Sequence, residues 1–389
     1  REVNYASWRN RTMKYLVVGK LQLQGADNYQ VQFQLLDVEK GSQITGHSFQ
    51  ARENQLRRLA HHISDLIYEA ITGKRGAFDT HLAYITVHRD RQGKALYQLA
   101  IADSDGYNEQ VLFESGMPIV RPAWSPDGKQ LAYVSYSTGR PQIYVQNIYT
   151  RQTTRLTDFK GSNLSPAWSP DGRRMAMALS KDGNSEIYIM DLNTRQLYRI
   201  SRDVATDIEP TWSPDGRSLI FMSDRGGRPQ LYKIAVSDAG PMGRARRLTV
   251  HTGVEDFPKF SPDGRMIAFT GDYNERLNSL FVMPAEGGRP KQLTWHTDSA
   301  EPVEWTPDGK KIVFRSRRDS FVSFFKQFYT VSPDGGLPVD MGIGKGSLAS
   351  FSPDGKKMAL NRHPERFWWW KRYKGSQNQD VWVYDLSLI

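Results

Sequence analysis

Along most of this chain apolar and polar residues alternate with the period of a β-strand, and one stretch near the start switches to the period of a helix. Lys14-Tyr-Leu-Val-Val-Gly-Lys-Leu-Gln-Leu23 and Tyr29-Gln-Val-Gln-Phe-Gln-Leu-Leu-Asp-Val38 alternate, with a Gly25-Ala-Asp-Asn28 turn between them, and Gln43 to Ala51 supplies a third strand. From Glu53 to Thr72 the apolar residues fall at Leu56, Leu59, Ala60, Ile63, Leu66, Ile67, Ala70 and Ile71, the spacing of an amphipathic helix, and Gly73 is placed to stop it. Residues 1–80 therefore read as a small α/β domain, a meander covered by one helix. Lys74-Arg-Gly76 is its short link to the rest, residues 81–389.

Beyond the link the strand pattern is organised by a stretch that returns. Arg121-Pro-Ala-Trp-Ser-Pro-Asp-Gly128 recurs as Ser165-Pro-Ala-Trp-Ser-Pro-Asp-Gly172 and Glu209-Pro-Thr-Trp-Ser-Pro-Asp-Gly216. Looser copies follow at Phe257–Gly264, Pro302–Gly309 and Leu348–Gly355. The aromatic positions Trp124, Trp168, Trp212, Phe260, Trp305 and Phe351 are spaced 44, 44, 48, 45 and 46 residues apart. A period in the forties made of short strands is the signature of a β-propeller blade. Within one unit Pro-Asp-Gly forms a tight turn and an apolar run such as Leu131-Ala-Tyr-Val134 follows. A second run such as Gln142-Ile-Tyr-Val145 comes next, and an Arg155-Leu-Thr157 type segment closes the unit. The expected fold is a mainly β protein, a propeller of about six blades behind the α/β domain. Leu82–Val87, Leu96–Ile101 and Gln110–Phe113 read as a first, incomplete unit, and the repeat around Phe351 is the expected closing strand.

Composition narrows the function. There is no cysteine, which excludes disulfides and thiolate metal sites and fits cytoplasm or periplasm equally. No apolar run is long enough to span a membrane. The net charge of +10 is spread along the chain, which argues against a nucleic-acid surface and for affinity toward acidic partners. The chain opens at Arg1 with neither Met nor an apolar targeting region and reads as a mature form or a fragment.

Candidate chemistry is sparse. A lone Asp in Pro-Asp-Gly lacks the further carboxylates of a calcium loop and reads as a turn residue. The repeated Trp reads as packing between blades. Adjacent His61 and His62 cannot share a metal from one helix face and read as solvated. There is no Gly-x-Ser-x-Gly elbow and no His-Glu-x-x-His, so no catalytic residue, metal or cofactor is assigned and the chain is expected not to be an enzyme. Gly342-Ile-Gly-Lys-Gly-Ser347 lacks the third glycine of a dinucleotide site and reads as a loop. His296, Asp298, Glu301 and Glu304 read as a polar loop at a channel mouth in preference to a cation site. Phe367-Trp-Trp-Trp370 with Lys371-Arg372 is the most unusual surface candidate, as a partner site or as a long insertion between strands.

The loops that feed the innermost strands of a propeller converge on one mouth of its central channel, which is the default partner site. Here they carry Val120 and Arg121; Ser162, Asn163, Leu164 and Ser165; Asp207, Ile208 and Glu209; Asp256 and Phe257; and Ser299, Ala300 and Glu301.

Residues 1 to about 235 resemble the TolB family of periplasmic propeller proteins. The resemblance rests on Tyr15-Leu-Val-Val-Gly19, Leu66 to Phe78, Ser104-Asp-Gly-Tyr-Asn108, the Trp-Ser-Pro-Asp-Gly repeats and Ser223-Asp-Arg-Gly-Gly-Arg-Pro-Gln-Leu-Tyr232. It implies a non-enzymatic periplasmic scaffold of the Tol-Pal system, peripheral to the outer membrane and serving its integrity and cell division. Its implied partners are the lipoprotein Pal, TolA and other envelope proteins, with Pal on the channel rim. The remainder resembles the N-terminal propeller of tricorn-type proteases, through Phe281–Thr294, Trp305–Arg318, and Trp370–Gly375 leading to Gln379–Leu386. That resemblance implies the alternative, the substrate-gating propeller of a serine peptidase without its catalytic domains. The two halves read as a hybrid of related propellers or as a divergent TolB-like chain with a truncated end, the upstream part of the small domain being missing.

Overall fold

The computed structural model describes residues 3–73, 76, 78–90, 92–251, 253–273, 278–296, 298–319, 326–352, 354–361 and 381–386. The chain divides into two compact units, Arg1–Thr80 with Asp103–Asp105, and His81–Ala102 with Gly106–Ile389.

In the first unit the alternating segments form an antiparallel meander of β1 (Tyr15–Leu23), β2 (Asn28–Asp37) and β3 (Ser42–Arg52). Its register sets Leu21 opposite Val31 and Val31 opposite Phe49, so one face of the sheet is apolar, and Phe33, Leu35 and Ala51 are buried there. A short helix α1 (Tyr5–Arg9), which the hydrophobic pattern does not announce, precedes the sheet; the Asn4 side chain accepts from the Ser7 N–H at 3.2 Å and caps it. Helix α2 (Leu56–Thr72) ends where Gly73 takes φ +69°, a conformation with no steric cost for glycine. Its exposed His62 sits edge-on to Phe49, with ring centroids 5.7 Å apart. His61 departs from the solvated expectation: it is half-buried, with Nε2 3.9 Å from Asp103.

Among the described residues the second unit is a succession of antiparallel sheets. The first has three strands, β4 (His81–Arg89), β5 (Ala95–Asp103) and β6 (Gln110–Ser115). Five four-stranded sheets follow, with inner strands Ile119–Trp124, Asn163–Trp168, Asp207–Trp212, Glu255–Phe260 and Glu301–Trp305. A seventh sheet has three strands, Ala349–Phe351, Lys357–Asn361 and Val381–Asp385. The second strand of each complete sheet is its most buried: Leu131, Ala132, Tyr133 and Val134 are at most 1% exposed, as are Met175, Ala176, Met177, Ala178 and Leu179. Consecutive sheets share cores, so Ile187 and Ile189 pack with Leu219, Phe221 and Trp212 of the next sheet.

The repeated turn is held by its own side chains. Ser125 Oγ donates to Asp127 Oδ1 at 2.6 Å and receives the Gln130 N–H at 2.9 Å, while Gly128 takes φ +66°. The same bonds recur at Ser169/Asp171, Ser213/Asp215, Ser261/Asp263, Thr306/Asp308 and Ser352/Asp354. The hydrogen bond from Ser125 holds the Asp127 carboxyl below the usual carboxylate range, and Ser213 does the same for Asp215. Tryptophan ties one sheet to the preceding one: Nε1 of Trp168, Trp212 and Trp305 donates at 3.0 Å to the carbonyls of Ala123, Ala167 and Lys259.

Two expectations are corrected. The strand at Phe351 does not close onto the first sheet, because Ala349, Ser350 and Phe351 pair with Leu360, Ala359 and Met358 in a sheet of their own. The Gly342–Ser347 segment is not simply a loop, since Val339–Lys345 is the outer strand of the sixth sheet and accommodates Gly342 and Gly344 at positive φ. The aromatic cluster Phe367–Trp370 lies outside the described residues.

Candidate functional site

Each inner strand from the second to the fifth sheet breaks its register at an Xaa-Pro step. The shift falls between Val120 and Ala123, Leu164 and Ala167, Ile208 and Thr211, and Asp256 and Lys259, one extra residue in each case. The residue before the proline stands in the left-handed region: Arg121 φ +55°, Ser165 φ +53°, Glu209 φ +56° and Phe257 φ +55°. Side-chain-bearing residues pay a steric cost there, and the surrounding sheet must enforce it. The sixth sheet keeps a bulge between Pro302 and Glu304 but lacks the left-handed residue.

The bulges bring residues from separate sheets together. Arg121 Nη1 donates to Glu209 Oε2 at 2.8 Å and Nη2 lies 2.5 Å from Oε1, a pair that skips the intervening sheet. Ser165, from that intervening sheet, donates to Glu209 Oε1 at 3.4 Å. Burial pushes the Asp256 carboxyl above its ordinary range; Glu209 and Glu301 push the same way, and the Phe257 N–H and Arg121 offset them only in part. Glu301 behaves oppositely. Burial raises it, but Arg315, at 2.6 Å, and Lys326 together hold it below the usual range. Phe257 remains 45% exposed beside them.

Other sequence-derived positions sit differently. Asp207 is fully buried and accepts from Arg225 Nη2 at 2.6 Å, and Asn163 is fully buried with its amide donating to the Phe159 and Gly161 carbonyls. Both hold loops together from inside and present nothing to a partner. Leu164 and Ile208 pack into the intersheet cores, and the Ser162 N–H is held by Ser180 Oγ at 2.8 Å. The exposed part of the mouth is thus Arg121 and Phe257, with half-buried Glu209, Asp256 and Glu301 and nearly covered Ser165.

Sequence reasoning missed the backbone device. Its signal was present: Arg-Pro, Ser-Pro, Glu-Pro and Phe-Pro each stand at the same distance before the aromatic residue. It also missed Glu255, fully buried at the start of its strand, where Tyr273 donates to it at 2.7 Å and Thr249 also donates. Burial pushes its carboxyl up.

The expected polar loop of the sixth sheet is an ion-pair region. Asp298 receives Arg317 at 2.8 Å and Glu301 receives Arg315 and Lys326, so those carboxylates are taken. Among the described residues one group has metal-ligand spacing, His61 with Asp103 and Asp105 in the small unit. Arg57 sits on it, 2.9 Å from Asp103 and 2.6 Å from Asp105, and supplies the positive charge an ion would bring.

Fold and mouth together define a β-propeller protein whose bulged inner strands present a charged rim. Residues 1–44 match the TolB amino-terminal domain, residues 68–253 the TolB beta propeller domain, and residues 238–388 the Tricorn protease N-terminal beta propeller domain. The crystal structure of TolB from Acinetobacter baumannii is similar, with 34% identity and a TM-score of 0.58 over 87% of this chain and 82% of that one. The chain belongs to the TolB family. The Tol-Pal system protein TolB of Thioalkalivibrio sulfidiphilus is 47% identical over 163 residues, and that of Nitrosococcus oceani 44% over 162. Each alignment covers 42% of this chain and 37% of the relative, so the aligned part spans little more than a third of those proteins. An oligogalacturonate lyase aligns at 16% identity with a TM-score of 0.56, which speaks for the fold alone.

Proposed function

We propose that this chain is a periplasmic interaction scaffold of the Tol-Pal system, peripheral to the outer membrane, that binds the lipoprotein Pal through the mouth formed by Arg121, Ser165, Glu209, Asp256, Phe257 and Glu301. Outer-membrane integrity and cell division are the processes it serves, with TolA and other envelope proteins as further partners. The observation that carries the reading is the set of four strained Xaa-Pro bulges, which hold Arg121, Ser165, Glu209 and Phe257 at one mouth in a member of the TolB family. Strain kept at matching positions of four sheets is expected where side chains must be aimed. The role is binding and not catalysis: Ser165 faces a carboxylate, and Glu301 is neutralised by two cations.

Calorimetric titration with the soluble Pal domain tests this. Saturable binding that Glu209→Lys weakens by tenfold or more is the expected result. No heat from a folded sample removes the Pal reading. The match of residues 238–388 to the tricorn propeller favours a second reading, the substrate-gating propeller of a tricorn-like serine peptidase. A protease domain encoded in the same reading frame after Ile389 would promote it.

A further inference from the structure

Three acidic side chains of the second unit are fully buried, Glu186, Asp207 and Glu255. Two of them face arginine: Glu186 accepts from Arg199 Nη2 at 2.8 Å and Asp207 from Arg225 Nη2 at 2.6 Å. Glu255 is held differently. Tyr273 donates to its Oε1 at 2.7 Å, Thr249 donates to Oε2, and the Leu231 N–H reaches Oε2 at 3.3 Å. All of these donors are neutral. Arg247 acts on Glu255 through its charge alone, because its guanidinium is spent on the Thr249 and His251 carbonyls at 2.6 and 3.3 Å.

A second observation shows the carboxylate at work on the backbone. In other sheets the hydroxyl at the position of Thr249 closely accepts a third-strand N–H: Thr157 from Ile143 at 3.0 Å, Ser201 from Ile187 at 2.9 Å and Thr294 from Leu280 at 2.9 Å. Thr249 stands 3.4 Å from the Leu231 nitrogen, whose hydrogen it shares with Glu255. The joint crosses from one sheet to the next. Leu231 lies on the third strand of the fourth sheet, Gln230–Ser237, and Glu255 opens the inner strand of the fifth, where its own N–H donates to the Pro229 carbonyl at 2.9 Å. Asp256 and Phe257 of the mouth follow it directly.

An ionised carboxylate taken out of water without a cation in contact is costly, and a proton relieves the cost. The joint can hold the protonated form as well, since the hydroxyls of Tyr273 and Thr249 accept as readily as they donate. Burial pushes the Glu255 carboxyl up, and burial and Glu255 push the Tyr273 phenol up, so the phenol keeps its hydrogen throughout. We propose that Glu255 is a proton-operated joint between the fourth and fifth sheets: protonated, it fixes the start of the fifth inner strand, and ionised, it loosens it, so that pH sets how firmly Asp256 and Phe257 are presented. As regulation of the mouth, the proposal rests on the reading of the mouth as a partner site. The sign follows from the raised carboxyl: its stabilising contribution is complete below the unfolded value and is lost as pH rises through the folded one. The other titratable or charged groups around the joint are Arg247 and His251 from the fourth sheet and its exit, Asp272 and Tyr273 from the fifth, and Asp256 on the same strand. His251 is the rival sensor: its ring stacks on Tyr273 with centroids 3.9 Å apart, and its Nδ1 accepts the Gly253 N–H at 3.2 Å.

Amide hydrogen exchange of the free full chain, referred to intrinsic rates at each pH, is the test. Protection of the Leu231 and Glu255 amides should fall about threefold or more from about pH 5 to about pH 7.5, while Ile187, beside the arginine-paired Glu186, stays level. Glu255→Gln should be well protected and flat with pH. Tyr273→Phe removes a donor to the ionised form, so the loss should grow and extend to higher pH. His251→Gln should keep the wild-type dependence. Level protection at Leu231 and Glu255 in the wild type, an unchanged slope in Glu255→Gln, or a slope abolished by His251→Gln overturns the proposal. The exchange needs no partner and decides the joint whether or not Pal binds. With soluble Pal, affinity should fall over the same pH range more in the wild type than in Glu255→Gln, and equal falls would overturn the link from joint to mouth.

Discussion

Asp207 and Glu209 are two residues apart on one strand, yet a lysine at each should have very different consequences. The Asp207 side chain has no exposure and its carboxylate lies 2.6 Å from Arg225, which is itself only 18% exposed. Asp207→Lys replaces this attraction with two cations in a closed space, and leaving a buried charge unpaired costs about 3–5 kcal/mol. Glu209 is a third exposed and its Arg121 partner half exposed, so the loss of that pair is worth about 0.2–1 kcal/mol. An entropy of unfolding near 2.1 cal/mol/K per residue, over a unit of about 300 residues, converts each kcal/mol into roughly 1.5 °C. Asp207→Lys should therefore lower Tm by about 5–8 °C and Glu209→Lys by less than about 2 °C in differential scanning calorimetry. Asp207→Asn should fall between them. Burial raises the Asp207 carboxyl, so its charge is already disfavoured, and Arg225 retains Asp203 at 3.7 Å and the rings of Phe221 and Tyr232. Equal, small shifts for both lysine variants would refute the burial argument and return Asp207 to the exposed rim.

The other predictions concern the repeat and its buried acids. Trp212→Phe loses the bond to the Ala167 carbonyl but leaves a ring under Arg174, whose guanidinium lies 4.8 Å from it, so chemical denaturation should register a loss of about 1 kcal/mol. Gly128→Ala meets open space, yet φ +66° disfavours any side chain; a loss of about 1 kcal/mol is expected, and none would mean that the turn relaxes freely. Burial raises Asp207, Glu255 and Asp256 above their unfolded values, so the folded state takes up protons first and these groups add stability as pH falls from neutrality. Asp127 and Asp215 are depressed and act oppositely: their contribution is complete above the unfolded value near 4 and is lost below it. The urea midpoint should rise on mild acidification and then collapse below about pH 4, and Glu255→Gln should flatten the rise.

What could be read in the sequence follows from the range of the interactions. The turn Ser125-Pro-Asp-Gly128 closes on itself through bonds spanning two to five residues, so its composition announces it in every copy. The strands, the helix and its stop at Gly73 are equally local. The mouth is not. Arg121 meets Glu209 across 88 residues, and only the assembled sheets decide that Asp207 turns inward while Glu209, two positions on, turns toward Arg121. The bulge between them makes the difference, because the one extra residue resets the alternation that would otherwise give both side chains the same face. The closing role expected of the strand at Phe351 failed for a related reason. The segment at Phe351 carries the inner-strand motif, but the motif specifies a place in a sheet without specifying which sheet. Lys357–Asn361, one turn away, captures Ala349–Phe351 before the distant β4 can, because closing a short loop costs less entropy than closing one of more than two hundred residues. That β4 is an edge strand among the described residues, and not the partner of the segment at Phe351, is thus the consequence of a local contest.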